Sequence, residues 1–153
     1  MKKVLVSIML VAMLMITGCE KVVESKYVEG TYFGYQGYTS YGKNYVVSAV
    51  VYVDAKGFIK SVFIDSTYFS NNVYTSKKVL GDAYNMKPSS AIGKEWYEQM
   101  AVLEDRIVKE QGVAWLTYDE EGTIPTDVIS GVTIDVADYH KAVISALQQA
   151  IKD

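Results

Sequence analysis

The sequence has 153 residues, with 15 basic and 18 acidic side chains and a formal net charge of −3. A chain of this length can bury one substantial core, and its hydrophobic fraction of 50% excludes a disordered protein. Its single cysteine and single histidine exclude an internal disulfide framework, an iron–sulfur cluster, attached haem and a histidine-rich metal site. No basic stripe is present, so we expect no binding to nucleic acid. Any redox chemistry must therefore come from a bound organic cofactor.

The first 18 residues have the pattern of a targeting segment. Lys2 and Lys3 precede an apolar run over residues 4–16, which is short for a membrane span. Residues 16–19 read Ile-Thr-Gly-Cys and resemble a bacterial lipobox, which is cut before its cysteine and lipidated on the thiol. We therefore predict a lipoprotein signal peptide (1–18), a mobile tether (19–29) and one domain (30–153), with Cys19 anchoring the protein outside the cell membrane. The alternative is a plain signal peptide or short anchor with an incidental cysteine.

Strand signals dominate the first half of the domain. Residues 31–35 are β-branched and aromatic, residues 37–44 have the composition of a turn, and residues 45–54 alternate as a strand with Val47, Ala49, Val51 and Val53 on one face. A second strand is predicted over residues 58–65, with Phe58, Val62 and Ile64 on one side, completing an antiparallel hairpin central to the sheet. The tyrosines near positions 35–45 are read as strand residues with one wet face, with stacking on the ring of a bound ligand as the alternative.

Helix signals dominate the second half. Residues 66–88 are predicted to be irregular, with a turn at Asn71-Asn72 and with Lys77-Lys78 as a solvated pair or, alternatively, a site for a phosphate or acidic partner. Residues 91–111 are predicted to form a long helix capped by Ser89 or Ser90 and ended by Gly112. The apolar residues of this helix recur at intervals of four, four, three and four positions and form a stripe: Ile92, Trp96, Met100, Leu103 and Ile107. The solvent-facing side is predicted to consist of Glu95, Glu98, Asp105 and Lys109. Trp96 is read as a core residue, with stacking on the ring of a bound ligand as the alternative.

A second helix is predicted to close the chain over residues 136–151, with Asp135 as its N-cap and His140 on its surface. The preceding residues 113–118 are apolar enough for a short strand or a packed loop. The predicted class is α+β, with a mainly antiparallel sheet packed by a long central helix and a C-terminal helix.

The stretch ahead of the last helix has the composition of a ligand-binding loop. Asp127 supplies a carboxylate, Ser130 and Thr133 supply hydroxyls, and Gly131 allows close backbone approach. Thr133 is expected one or two residues before the helix start, where free N–H groups and the helix dipole favour a phosphate. The alternative is an ordinary loop and N-cap, which uses the same residue types.

The seven residues 127–133, Asp-Val-Ile-Ser-Gly-Val-Thr, resemble the flavinylation motif Asp-x-x-Ser/Thr-Gly-Ala-Ser/Thr of the FMN-binding domain family, with Val132 at the alanine position. Residues 78–87 and 92–99 are similar to segments of the FMN-binding lipoproteins of Gram-positive bacteria linked to extracellular electron transfer, and the resemblance covers about residues 30–150. It implies that an FMN transferase attaches FMN to Thr133 through a phosphoester. Asp127 and Ser130 would shape the loop or engage the transferase and its metal.

The resemblance implies an extracytoplasmic electron carrier rather than a substrate-specific enzyme. Covalent FMN would relay electrons from a membrane electron donor to an extracellular electron acceptor such as ferric iron. The alternative is a non-redox lipoprotein of the same fold that binds a peptide, sugar or envelope component. A hydrolase using Ser130 or Thr133 lacks an obvious base, because His140 lies seven residues past Thr133 on the next predicted helix.

Overall fold

The computed structural model describes residues 25–119, 124 and 129–152. Four strands are followed by one short helix and two long ones, and the α+β class is confirmed: β1 Gly30–Ser40, β2 Lys43–Val53, β3 Ile59–Ser70, β4 Val73–Ser76, α1 Lys77–Leu80, α2 Trp96–Glu110 and α3 Ala137–Gln148. Two single 3₁₀ turns, Gly81–Tyr84 and Lys87–Ser89, connect α1 to the segment before α2. Within the described residues, no helix has the length and apolarity needed to cross a membrane.

The sheet is an antiparallel meander with strand order β1-β2-β3-β4. Its two outer hairpins turn through residue pairs in the left-handed region, Tyr41-Gly42 (φ 48° and 69°) and Asn71-Asn72 (φ 50° and 62°). Such pairs give the turn whose twist matches that of paired strands, and asparagine tolerates this conformation. The predicted turn at Asn71-Asn72 is confirmed. The turn predicted over residues 37–44 is wrong in extent, because only two residues separate β1 from β2.

The inner face of β2 carries the centre of the core. Val47, Ala49, Val51 and Val53 are all buried, as the alternating pattern predicts. On β3 the prediction fails at one position, because Ile59 is buried in place of Phe58. The pairing register shifts between Tyr52 and Val53, and a shift of one residue exchanges the two faces of a strand.

The two long helices cover the inner face of the sheet side by side. α3 lies over β1 and β2, while α2 lies along β3. Gly34 permits the close approach of α3, because a β-carbon there would overlap the carbonyl of Ala142 and the amide nitrogen of Ala146. Any side chain at Gly34 would push α3 off the sheet.

Side chains of α2 also close the edge of β3. The Gln111 side chain accepts from the Ile59 N–H (2.8 Å) and donates to the Ile59 carbonyl (3.0 Å), and Glu104 accepts from the Ile64 N–H. Backbone groups along an unpaired strand edge invite association with other chains, so these contacts protect the edge.

The long helix begins later than predicted. Its first residue is Trp96, and Glu95 and Glu98 form a capping box. Glu95 is only 4% exposed because its carboxylate also accepts from the N–H groups of Met86 and Lys87, so its assignment to the solvent-facing side is wrong. Ile92 is 39% exposed and lies outside the stripe, because a turn at Gly93 (φ 62°) precedes the helix. Neither Ser89 nor Ser90 is the cap.

The first and last segments that the structure describes pair with each other. Tyr27, within the segment predicted as a tether, is buried and pairs with Ile151, and the Lys152 N–H donates to the Lys26 carbonyl. Residues 113–118 form the packed loop rather than the short strand, with Val113 and Leu116 buried. Residues 66–88 are more regular than predicted, because they contain the end of β3, β4 and α1.

Candidate functional site

Residues 129–133, the described part of the motif and here called the motif loop, form a tight turn in which some side chains are buried and others are exposed. The Val132 N–H donates to the Ile129 carbonyl (3.0 Å), and Gly131 has a φ of 89°, which side chains rarely adopt. Val132 is 2% exposed and packs into the core, whereas Ser130 and Thr133 are exposed. The extra bulk of valine over alanine at this position is therefore taken up by the core. Asp127, like Cys19, lies outside the described residues.

Gln99 anchors Thr133 to α2. The Gln99 amide oxygen accepts from the Thr133 N–H (2.8 Å) and from the Thr133 hydroxyl (3.3 Å). Its amide nitrogen donates to the Ser90 hydroxyl (3.2 Å), and the side chain is fully buried. Sequence reasoning missed Gln99, although it lies three residues after Trp96 on the buried side of α2, where an amide needs specific partners.

The expected placement of Thr133 at a helix start is wrong. α3 begins at Ala137, four residues later, and its N-cap is Val136. Asp135 still acts as a capping group, because its carboxylate accepts from the Ala137 N–H (2.9 Å). The N-terminus of α3 is therefore capped by Asp135, and Thr133 is not part of this helix N-terminus.

A basic side chain lies against the motif loop. The Lys94 ammonium nitrogen would be 3.6 Å from a β-carbon built on Gly131. In the part of the chain that the structure describes, this ammonium has no hydrogen-bond acceptor or carboxylate partner. The open side of the glycine thus faces a positive charge, which suits an anionic group attached to the loop.

An aromatic cleft of about 400 Å³ opens directly after Thr133. Four of its lining side chains are the aromatic residues Tyr38, Tyr84, Trp96 and Tyr139, and the motif region contributes Ile134 and Asp135. The volume falls within the range of small-molecule sites, about 300–1,000 Å³. Trp96 is 2% exposed and donates to the Tyr139 hydroxyl (3.1 Å), so it is the core residue that was predicted and also part of the cleft wall.

The phenols of Tyr84 and Tyr139 remain protonated near neutral pH. Burial, with the nearby phenols of Tyr68, Tyr38 and Tyr45, raises the pKa of Tyr84 to about 12. Burial also raises the pKa of Tyr139. Tyr35, Tyr38 and Tyr45 are strand residues, as predicted, whereas Tyr41 lies in the turn between β1 and β2. Tyr38 stacks on Tyr45 with 5.2 Å between ring centroids.

Lys77 enters the cleft, so its reading as part of a solvated pair is wrong. Its ammonium lies 5.1 Å from the Tyr84 ring centroid and 5.2 Å from that of Trp96. Burial lowers the pKa of Lys77 to about 8, partly offset by the charge of Asp65. Lys78 is not solvated either, because it pairs with Glu104. The two neighbouring lysines therefore differ in their surroundings, because Lys77 lines the cleft and Lys78 faces Glu104 of α2.

His140 is buried, which contradicts its predicted surface position. It is 5% exposed, its Nδ1 lies 2.9 Å from the Tyr118 hydroxyl, and burial lowers its pKa. The ring lines a separate apolar cavity of about 370 Å³ with Tyr27, Val113 and Leu116. It is therefore not placed as a base for Ser130 or Thr133. Within the described ranges, no cluster of three or more metal-ligating side chains occurs.

Comparison with known proteins leaves the family open. No family model matches the chain, and no curated protein or solved structure is similar to it. The site must therefore be interpreted from its own chemistry. Its three features are the exposed residue Thr133, the Lys94 cation beside Gly131 and the aromatic cleft that Ile134 helps to line.

Proposed function

We propose that the protein is a lipid-anchored extracytoplasmic flavoprotein that holds FMN covalently on Thr133 and relays electrons from the membrane to extracellular acceptors. The observation that carries the proposal is the exposed residue Thr133, which directly precedes Ile134 in the lining of the aromatic cleft. A residue that is to be modified by another enzyme must be reachable, and a flavin held there needs aromatic surface within reach.

The residues present fit the phosphate end of FMN. Thr133 supplies the oxygen for a phosphoester, while Gln99 fixes the backbone of the acceptor residue. Lys94 supplies a positive charge on the open side of Gly131. A phosphodiester is anionic, so a cation at this position stabilises the attached state.

The residues of the cleft fit the ring end. Among the lining side chains, Tyr38 and Tyr84 are partly exposed and present aromatic surface, whereas Trp96 and Tyr139 are buried. The protonated phenol of Tyr84 can donate a hydrogen bond to a ring carbonyl or nitrogen. When bound, FMN supplies one- and two-electron redox chemistry that no side chain of this protein offers. The work of the protein is to orient the ring, exclude water from one side of it and adjust its electrostatic surroundings.

The targeting segment suggests why a covalent bond would be useful. A protein tethered outside the membrane through Cys19 would meet no cytoplasmic pool of FMN, and a noncovalent flavin would be lost by dilution. Electrons would come from a quinol-type donor through a membrane partner and would leave to a soluble or mineral acceptor. This route requires contact with partners but no acid–base pair of its own.

The test is co-expression with an FMN transferase and magnesium, followed by denaturing electrophoresis and in-gel flavin fluorescence. Wild-type protein should fluoresce after denaturation, Thr133→Val should be dark, and Thr133→Ser should retain some fluorescence because the oxygen survives. Ser130→Ala removes an exposed residue's hydroxyl three positions away and should retain attachment if Ser130 only shapes the loop. Asp127→Ala should slow attachment if the transferase needs that carboxylate.

A dark wild type in the presence of active transferase, with an unmodified mass, would overturn the proposal. Val132→Ala would then show whether the residue type at that position prevents recognition by the transferase. Fluorescence that persists in Thr133→Val would instead place the flavin on another residue.

A second candidate, a non-redox binding lipoprotein, is favoured by the outer face of the sheet. Phe33, Val50 and Phe63 lie directly opposite one another across β1, β2 and β3, and Tyr35 and Tyr52 extend the same exposed face. Exposed aromatic residues in a row can bind an apolar or sugar surface. Colourless protein from cells that contain the transferase, together with loss of ligand or partner binding in Phe33→Ser, would favour this candidate.

A further inference from the structure

Lys77 carries a half-buried positive charge that has no ion-pair partner among the described residues. Its ammonium is half-buried against Tyr84 and Trp96, and among the residues that the structure describes it has no hydrogen-bond acceptor and no carboxylate within ion-pair distance. The next residue, Lys78, is fully paired with Glu104. Cation–π contacts attract an ammonium but do not replace a counter-ion in a desolvated site. Lys77 therefore faces the cleft as a positive charge that the charge of Asp65 offsets only in part.

The acidic groups around the cleft are already engaged by other partners. Asp65 accepts from the N–H groups of Ser66 and Lys78, Asp135 accepts from the Ala137 N–H, and Asp138 pairs with Lys141. Among the side chains that line the cleft in the described structure, Lys77 is the one basic residue. A negative charge placed in the cleft would thus be attracted to Lys77 more than to any other lining group.

We propose that Lys77 is a positioning residue that stabilises the negative charge of a reduced flavin ring in the cleft and so raises its reduction potential. This inference rests on the proposed function. A flavin ring that takes two electrons from a quinol-type donor and one proton from solvent carries one negative charge, whereas uptake of a second proton makes it neutral. Lys77 keeps its own proton throughout and favours the anionic product. Charges beside the ring are a recognised means by which proteins adjust flavin potentials.

The experiment measures the midpoint potential of the flavinylated protein, with dithionite as reductant and a reference dye. Lys77→Met removes the charge and keeps the length of the side chain, and Lys77→Arg keeps the charge. Lys60→Met is the control, because Lys60 is exposed on β3 and does not line the cleft. Lys77→Met should lower the equilibrium constant for reduction ten- to hundredfold, which is about 30 to 60 mV more negative for a two-electron couple.

Two further readouts separate this role from a packing role. In Lys77→Met the reduced ring should take up its second proton at higher pH than in wild type, as shown by the reduced absorption spectrum and by the pH dependence of the midpoint. Lys77→Arg should restore both the potential and the spectrum, and Lys60→Met should match wild type. A flavinylated Lys77→Met protein with wild-type potential and spectrum would overturn the role of Lys77 while leaving the proposed function intact. Absence of flavin on the wild-type protein would overturn both.

Discussion

Replacement of Gln99 by methionine should destabilise the protein and disturb the motif loop. Methionine keeps nearly the same length and volume, so the change removes hydrogen bonds without opening a cavity. Three bonds are lost, two from Thr133 and one to Ser90, each of about 1 kcal/mol net. Because the added apolar group recovers part of this loss, we expect a decrease of about 2 kcal/mol in the free energy of unfolding.

Urea unfolding followed by tryptophan fluorescence measures this change directly. With a typical urea dependence of about 1–3 kcal/mol per molar, the midpoint should fall by roughly 1 M. Gln148→Met, on an exposed position of α3, is the matched control and should leave the midpoint unchanged. The yield of flavinylation should also fall in Gln99→Met, because the backbone of Thr133 loses its anchor. A Gln99→Met protein within about 0.5 kcal/mol of wild type would refute the assignment of Gln99 as the anchor.

Three other predictions concern the core, the cleft and the anchor. Trp96→Ala should lower the free energy of unfolding by about 3–5 kcal/mol, because the indole is buried and bonded to Tyr139; an altered flavin spectrum with unchanged urea midpoint would contradict this. Lys77 has a folded pKa of about 8, below its value of 10.5 in the unfolded chain, so the unfolded chain binds more protons between these pH values. Wild-type stability should therefore rise relative to Lys77→Met as the pH is raised from 7.5 towards 10, and parallel pH profiles in urea unfolding would exclude the burial of this cation. Cys19→Ala should stop lipidation and move the protein from the membrane fraction to the medium, whereas unchanged membrane association would disprove the lipobox.

The central hairpin and the fold class could be predicted because their signals are local. Alternation along β2 identifies its buried face, and the asparagine pair at 71–72 marks a hairpin turn. The start of α2 could not be predicted from the stripe, because Ile92 has helical spacing but lies before a turn at Gly93. The capping carboxylate of Glu95 is recognisable only when Met86 and Lys87 are seen to donate to it.

The motif predicts Thr133 as the acceptor but does not predict its surroundings. Thr133 is exposed, as a modifiable hydroxyl must be, yet the residues that give the site its character come from distant parts of the chain. Lys77, at the start of α1, reaches the cleft over the ring of Trp96, and Gln99 reaches Thr133 across 34 positions of sequence. The position of His140 was predicted wrongly, because a lone histidine in a sequence gives no sign of a hydrogen-bond partner such as the Tyr118 hydroxyl. Long-range contacts of this kind leave no periodicity in the sequence.

The most direct test of the account is the mass of the mature protein isolated from its own cells, followed by mass spectrometry of the peptide that contains Thr133. The account predicts one FMN phosphoester per chain, located on Thr133, on a protein that begins at a lipidated Cys19. A mature protein of unmodified peptide mass at Thr133, from cells with active FMN transferase, would contradict it.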